Sequence, residues 1–330
     1  MTNPSICVIG AGFHATTNIY PALVETGATI TAVATRNLER SEQTLLRFGS
    51  KGTPYDNHKK MLEQESCDGV IVVAQPTDQA ALVMDCIQAG KNVYVEKPLG
   101  MTTEESELAA DAAEKAGVKL MVGFMKRYAP IYEQLHSHIT SEELGSVRSF
   151  EARFAVDTTP FCQNDEEFLK FAAIHIVDLV RYLFGETAAV SGFKNSSSSH
   201  VNQSISLQFE SGTVGTLSFT GMTAWSRESE KLTVTFDHGF ASADEIHTLT
   251  VHKSQPFNEL PWKAPAESDS VYSPSASTMS GSMRDLYLRG FVGEMQHFVS
   301  CCTTNETPRS DGKDNIRTMA LIDRILKTLD

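Results

Sequence analysis

At 330 residues the chain is too long for one ordinary hydrophobic core and has the length of two domains. Its apolar share of 41% and charged share of 21% are those of a soluble globular protein. A formal net charge of -13 argues against nucleic acid or another polyanion as partner, because phosphate backbones are gripped by clustered Lys and Arg. The six cysteines follow neither metal-ligand nor disulfide-framework spacing, so no metal is expected and the thiols read as core residues of a reducing, cytoplasmic compartment. A Gly-rich turn arrives by residue 10 in place of a secretory leader, and no apolar run nears the roughly twenty residues that cross a bilayer; no membrane association is expected.

The first 122 residues alternate apolar runs of strand length, at 6–9, 30–34, 70–74, 93–95 and 120–122, with helical stretches near 14–25, 38–48, 57–64, 77–89 and 103–116. Thr102 followed by Glu105 is a capping box, and Gly90 and Gly117 stand where a helix ends in the left-handed conformation. Such alternation predicts βαβ units and a doubly wound parallel sheet, a Rossmann domain over 1–122. The texture changes in 123–330. A helix at 130–138, a strand at 147–155 and a long helix at 166–184 precede strands at 189–194, 204–209, 213–220 and 231–236. Turns at 210–212 and 237–239 join consecutive strands, which predicts an α+β domain with a large, mostly antiparallel open sheet. Residues 253–283, rich in Ser and Pro, read as a loop, and helices at 284–303 and 314–329 close the chain, with room to pack back on the first domain.

Gly10-Ala11-Gly12-Phe13-His14-Ala15 follows the first strand and opens the first helix, the context a dinucleotide fingerprint requires. Gly10 permits the tight turn, Gly12 lets the backbone approach a pyrophosphate, and Ala15 allows close helix–sheet packing. The helix start then offers unpaired N–H groups beside Phe13 and His14. The second strand ends in Ala34-Thr35-Arg36-Asn37, without the carboxylate that binds an NAD ribose. Thr35 and Arg36 suit a 2′-phosphate, so NADP(H) is preferred and NAD(H) possible. Glu96-Lys97-Pro98 ends the strand near 92–95, at the sheet edge where open α/β proteins bind ligands. A lysine there can exchange a proton with a substrate hydroxyl, and the bond before Pro98 is a candidate cis peptide.

These motifs, with Ala74-Gln75-Pro76, the run from Ala89 to Val93, Gly123-Phe124 with Arg127, and His175 to Leu179, resemble the glucose–fructose oxidoreductase / inositol dehydrogenase / rhizopine-catabolism family, Gfo/Idh/MocA. The resemblance runs nearly end to end and implies a Rossmann domain followed by an α/β domain whose open sheet often forms the subunit interface, hence a homodimer or homotetramer. It implies that Lys97 binds the reacting oxygen and assists proton transfer, that Glu96 lies near the nicotinamide ribose, and that Ala74, Gln75 and Pro76 line the nicotinamide site. His175 becomes the second proton donor, Asp178 one turn on is placed to orient it, and Met125, Arg127 and Phe171 become substrate residues.

The chain departs from the family pattern in three places. Many catalytic members carry an Asp four residues before the His, where this chain has Phe171, with Ala173 at the usual Gly. Met125 replaces an Asn, and Gln79 a His. Phe171 can neither titrate nor hydrogen-bond, which leaves Lys97 and His175 as the catalytic pair. The sequence therefore points to an NADP(H)-dependent oxidoreductase of a sugar, polyol or related carbonyl or alcohol. The alternatives are a non-catalytic NADP-sensing protein, or a reductase of an imine, dihydrodiol or tetrapyrrole if the surroundings of Phe171, Met125 and Phe161 are apolar.

Overall fold

The computed structural model describes residues 3–254, 269–275, 279 and 284–329. They fold as two compact units, Met1–Met125 with Gly290–Ala320, and Lys126–Arg289 with Leu321–Asp330.

The first unit holds a six-stranded parallel sheet of β1 (Ser5–Ile9), β2 (Thr29–Ala34), β3 (Thr53–Tyr55), β4 (Gly69–Val72), β5 (Val93–Glu96) and β6 (Leu120–Gly123), in the order β3-β2-β1-β4-β5-β6. The central strands are apolar on both faces because helices cover both sides: Ile6, Val70, Ile71, Val72, Val93 and Val95 are all fully buried. The order reverses between β1 and β4, and such a switch point opens a crevice at the strands' carboxyl ends, where open α/β sheets bind ligands. β3 escapes the sequence pattern because it is only three residues long and contains Pro54. At the sheet edge its missing N–H costs little.

Local signals set most helix ends. Asn37 caps Leu38–Arg47, Gly90 and Gly117 adopt left-handed φ of 70° and 68°, and the Thr102 hydroxyl accepts the Glu105 N–H. The Glu105 carboxylate reaches the Met101 N–H at 2.6 Å, one residue earlier than a standard capping box would place it. The stretch at 14–25 is not one uniform α-helix, since a π-turn, Ala15–Ile19, runs into Tyr20–Glu25. The helix expected at 284–303 is two, Asp285–Leu288 and Phe291–Thr303, because Gly290 at φ 93° breaks the hydrogen-bond ladder between them. The last helix is Gly312–Leu329.

In the second unit an eight-stranded sheet contains β7 (Val147–Val156), β8 (Thr187–Lys194), β9 (Val201–Phe209), β10 (Val214–Gly221), β11 (Ser229–Phe236), β12 (Gly239–Asp244), β13 (Thr248–Lys253) and β14 (Asp269–Tyr272), in the order β14-β13-β12-β11-β7-β10-β9-β8. Every pair is antiparallel except β7 with β10. β14 lies inside the stretch read as loop; it is short and exposed and pairs only with β13, so it carries no burial pattern. The rest of that loop falls outside the described residues apart from 253–254, 273–275 and 279. Strand alternation is regular: in β9, Val201, Gln203, Ile205, Leu207 and Phe209 point inward and the intervening polar residues point out. Phe150 stacks on Phe184 at 4.6 Å, so the helix Ile174–Phe184 packs on one face, and on β9 and β10 the residues of the other face are exposed.

Candidate active site

Gly10 makes the turn at the end of β1, with φ 104° and its N–H bonded to the Ala34 carbonyl at 2.9 Å. A Cβ there would lie 1.9 Å from the Val73 carbonyl oxygen, so only glycine fits. At Gly12 nothing lies within 4 Å of the corresponding point, and this open cradle faces the first turn of the following helix. Ala15 is fully buried against the sheet, and the Tyr20 hydroxyl donates to the Gly10 carbonyl at 2.9 Å. Phe13 is 85% exposed. These residues fit a dinucleotide pyrophosphate: the glycines leave the space, and the helix start supplies N–H donors. At the end of β2 the Thr35 hydroxyl donates to the Asn37 carbonyl at 2.7 Å and accepts the Asn37 N–H, while Arg36 is exposed.

Across the switch point Ala74 and Gln75 follow β4, and Pro76 starts the helix Pro76–Gln88, where its missing N–H is harmless. From that helix the Gln79 amide donates to the Glu96 carbonyl (2.9 Å) and the Pro98 carbonyl (2.7 Å). Gln79 is fully buried, so it clamps the backbone on both sides of Lys97. The Lys97–Pro98 peptide is cis. The sequence marks Gln79 only as a departure from the family pattern, because its two acceptors lie 17 and 19 residues away.

The Glu96 carboxylate is buried and approached from three sides. His14 Nε2 faces Oε1 at 3.1 Å, Tyr94 Oη lies 2.9 Å from the same oxygen, and Lys97 contributes its charge. The Asn18 amide lies 3.0 Å from His14 Nδ1; donating there, it leaves the ring proton on Nε2. Burial opposes ionisation of Glu96, yet these neighbours outweigh it and hold the carboxyl below the ordinary 4.5. A depressed folded-state pKa gives stability that is complete above the unfolded value and lost as pH falls through the folded one. Glu96→Gln should therefore melt below wild type near about pH 7, with the gap closing on acidification below about pH 4. A melting gap independent of pH would contradict this ionisation.

The second unit carries the remaining candidates apart from Met125, which ends the first stretch of the first unit. The helical stretch read at 166–184 is Asp165–Phe168, a π-turn at Leu169–Ala173, then Ile174–Phe184. π-turns inside helices recur at functional positions. Phe171 lies in this one and His175 just after it, both half-buried. Asp178, expected to orient the imidazole, gives both oxygens to Arg127: Nε to Oδ2 at 2.7 Å and Nη2 to Oδ1 at 2.5 Å. Arg127 also lies over the Tyr182 ring at 4.8 Å. Both members of the ion pair are 1% exposed, so it forms part of the core. Met125 is buried at the start of a short 3-10 turn, Met125–Tyr128, and Phe161 is 53% exposed.

Among the described residues one trio, His297, Cys301 and Glu306, brings its ligand atoms within 4.8 Å of one another. His297 Nε2 accepts the Arg309 N–H at 3.0 Å, and Nδ1 faces Glu306 at 3.6 Å. The ring thus ties a helix end to the following segment, and no single ion could use both nitrogens. Among the described residues no helix is long and apolar enough to cross a membrane.

A glycine turn at the switch point of a doubly wound sheet, facing a braced lysine turn, defines a dinucleotide-binding protein of the oxidoreductase class. Residues 5–124 match the model of the oxidoreductase family with an NAD-binding Rossmann fold, and residues 132–242 the GFO/IDH/MocA C-terminal domain. The chain belongs to the Gfo/Idh/MocA oxidoreductase family. It is 23% identical over 297 residues to scyllo-inositol 2-dehydrogenase (NAD(+)) of Bacillus subtilis, covering 86% of this chain and 81% of that one. It is 26% identical over 341 residues to D-apiose dehydrogenase of Paraburkholderia graminis, covering 96% and 85%. Among solved structures, a dehydrogenase from Chromobacterium violaceum shares the fold, with a TM-score of 0.89 at 21% identity over 100% of this chain and 96% of that one.

Proposed function

We propose that the chain is an NADP(H)-dependent dehydrogenase or reductase acting on a CH–OH or C=O group of a sugar, polyol or related small molecule. The observation that carries this reading is the Glu96-Lys97-Pro98 turn, clamped by Gln79 at the carboxyl end of β5 in the same unit as the open glycine cradle. The relatives named for inositol and apiose support the substrate class. When bound, the nicotinamide would supply or accept the hydride. Lys97 would hydrogen-bond the reacting oxygen and exchange its proton, which a lysine does readily when desolvated. His175 is the second proton carrier, and Phe171 presents an apolar surface where a polar one is common in the family. Ala74, Gln75 and Pro76 would border the nicotinamide.

The absence of a carboxylate after β2, with Arg36 exposed there, favours the 2′-phosphate of NADP. Fluorescence titration tests it: NADPH should bind more tightly than NADH, and Arg36→Ala should weaken NADPH by about tenfold with little effect on NADH. Equal affinities in the wild type would reverse the preference. A keto-sugar and polyol panel followed at the nicotinamide absorbance then tests turnover.

Phe171 favours one second reading, a protein that senses NADP without turning substrate over. Binding with no turnover across the panel would support it. The first unit would hold the dinucleotide and the second the substrate and a subunit contact. The open face of the eight-stranded sheet, with Ser204, Ser206, Thr216 and Ser218 pointing outward, suits self-association as a homodimer or homotetramer. All six cysteines are free thiols, which suits a reducing cytoplasm.

A further inference from the structure

Cys7 is the third residue of β1, Cys67 stands two residues before β4, and their thiols face each other. The backbone that presents Cys67 is held on both sides. Lys91 Nζ donates to the Glu65 carbonyl at 2.9 Å, the Asp68 N–H to the Ser5 carbonyl at 2.8 Å, and the Asn92 amide to the Asp68 carbonyl at 2.9 Å. Cys7 is 1% exposed, with the Thr31 hydroxyl 3.4 Å from its sulfur, whereas Cys67 is half-buried and reachable from solvent. The surroundings separate the two protons. Cys67 is the strongest influence on Cys7 and raises it, burial and the Glu65 charge add to this, and Cys7 keeps its proton. Cys7 in turn is the strongest influence on Cys67 and lowers it below the ordinary 9.0; Lys91 helps, against burial and the Asp68 charge. Cys86, Cys301 and Cys302 are all pushed up, chiefly by burial.

We propose that Cys67 is a peroxide-reactive thiol and that Cys7 is its resolving partner, so that the pair closes to a disulfide under oxidation. The Cys67 thiolate attacks one peroxide oxygen, the O–O bond breaks, and the departing hydroxide takes up a proton and leaves as water. Cys67 is then a sulfenic acid. The Cys7 sulfur gives up its proton and displaces that hydroxyl, which forms the S–S bond and releases a second water. Peroxide is reduced by two electrons, and the two thiols are oxidised to one disulfide. Before the attack the Cys7 S–H donates to the Cys67 thiolate and so favours the reactive form. Cys302 is also half-buried, but a Cβ at Gly69 would lie 2.6 Å from its sulfur, and burial keeps its proton on. Neither Cys7 nor Cys67 belongs to the glycine turn or the lysine turn, so this chemistry is independent of the proposed function.

Peptide mapping of the full, natively folded chain by mass spectrometry tests both thiols. With iodoacetamide near about pH 7, Cys67 should be alkylated about tenfold faster than Cys302. After treatment with hydrogen peroxide, a non-reduced digest of wild type should contain the Cys7 and Cys67 peptides joined by a disulfide. Cys7→Ala should instead hold a sulfenic acid at Cys67 that dimedone traps, and its alkylation should slow by about threefold or more as the S–H donor is lost. Cys67 labelled no faster than Cys302, or a peroxide-treated wild type in which Cys67 is linked elsewhere or not at all, overturns the proposal. Absence of the dimedone adduct in Cys7→Ala removes Cys67 as the attacking thiol, and an unchanged alkylation rate removes Cys7 as its donor. If Cys7→Ala does not fold, Cys7→Ser supplies the same trapping test, and the wild-type digest decides in either case.

Discussion

Replacing Lys97 by alanine is expected to lower turnover by about 100-fold or more while leaving dinucleotide affinity nearly unchanged. The side chain is half-buried at the end of β5, on a backbone that Gln79 holds at the carbonyls of both neighbours. Removing it should not move the turn, because the clamp acts on main-chain atoms. On the proposed function, the variant would lose a charged donor at the reacting oxygen, an interaction that strengthens as charge develops there. Lys97→Arg should fail to restore the rate, since a guanidinium keeps its proton at any working pH. The measurements are kcat on the substrate the panel identifies and the NADPH dissociation constant of each variant. Unchanged turnover in Lys97→Ala would remove Lys97 from the chemistry, and a matching loss of affinity would make it a binding residue.

Arg127→Met is expected to destabilise the second unit by about 3–5 kcal/mol, the usual result of stripping one partner from a buried ion pair. Arg127 and Asp178 are each 1% exposed and joined by two charge-assisted bonds, with Tyr182 beneath the guanidinium. The single change leaves the Asp178 carboxylate buried without its main cation. Arg127→Met combined with Asp178→Leu should recover most of the loss, because neither charge then remains to be desolvated. Urea unfolding of the three variants gives the comparison through the midpoint and slope. An Arg127→Met variant of wild-type stability and weakened substrate affinity would return Arg127 to the substrate role that the family resemblance implies.

These two residues mark the boundary of what the sequence carries. The Glu96-Lys97-Pro98 turn was legible because its signal is local: a strand, a proline and a fixed spacing from the fingerprint. The same holds for Gly10 and Gly12, for the strands β1, β2, β4, β5 and β6, and for the helix ends at Thr102, Gly90 and Gly117. Each depends on periodicity or turn chemistry within a few neighbouring residues. Where the local signal was brief, it failed. β3 has three residues and β14 four, too few for alternation to show, and a π-turn differs from an α-turn by one residue of hydrogen-bond reach.

Partnership was not legible at all. Arg127 finds Asp178 across 51 positions and Tyr94 finds Glu294 across 200. No spacing rule relates residues so far apart, and each reads alone as an ordinary polar residue in an apolar context. The chain by itself determined a dinucleotide turn, a Glu-Lys-Pro turn at the end of a strand and two kinds of sheet, because backbone sterics and amphipathic burial act over a few residues. Only the tertiary structure decided which charges neutralise one another, because desolvation forces a buried charge to find its partner in space, wherever in the chain that partner lies.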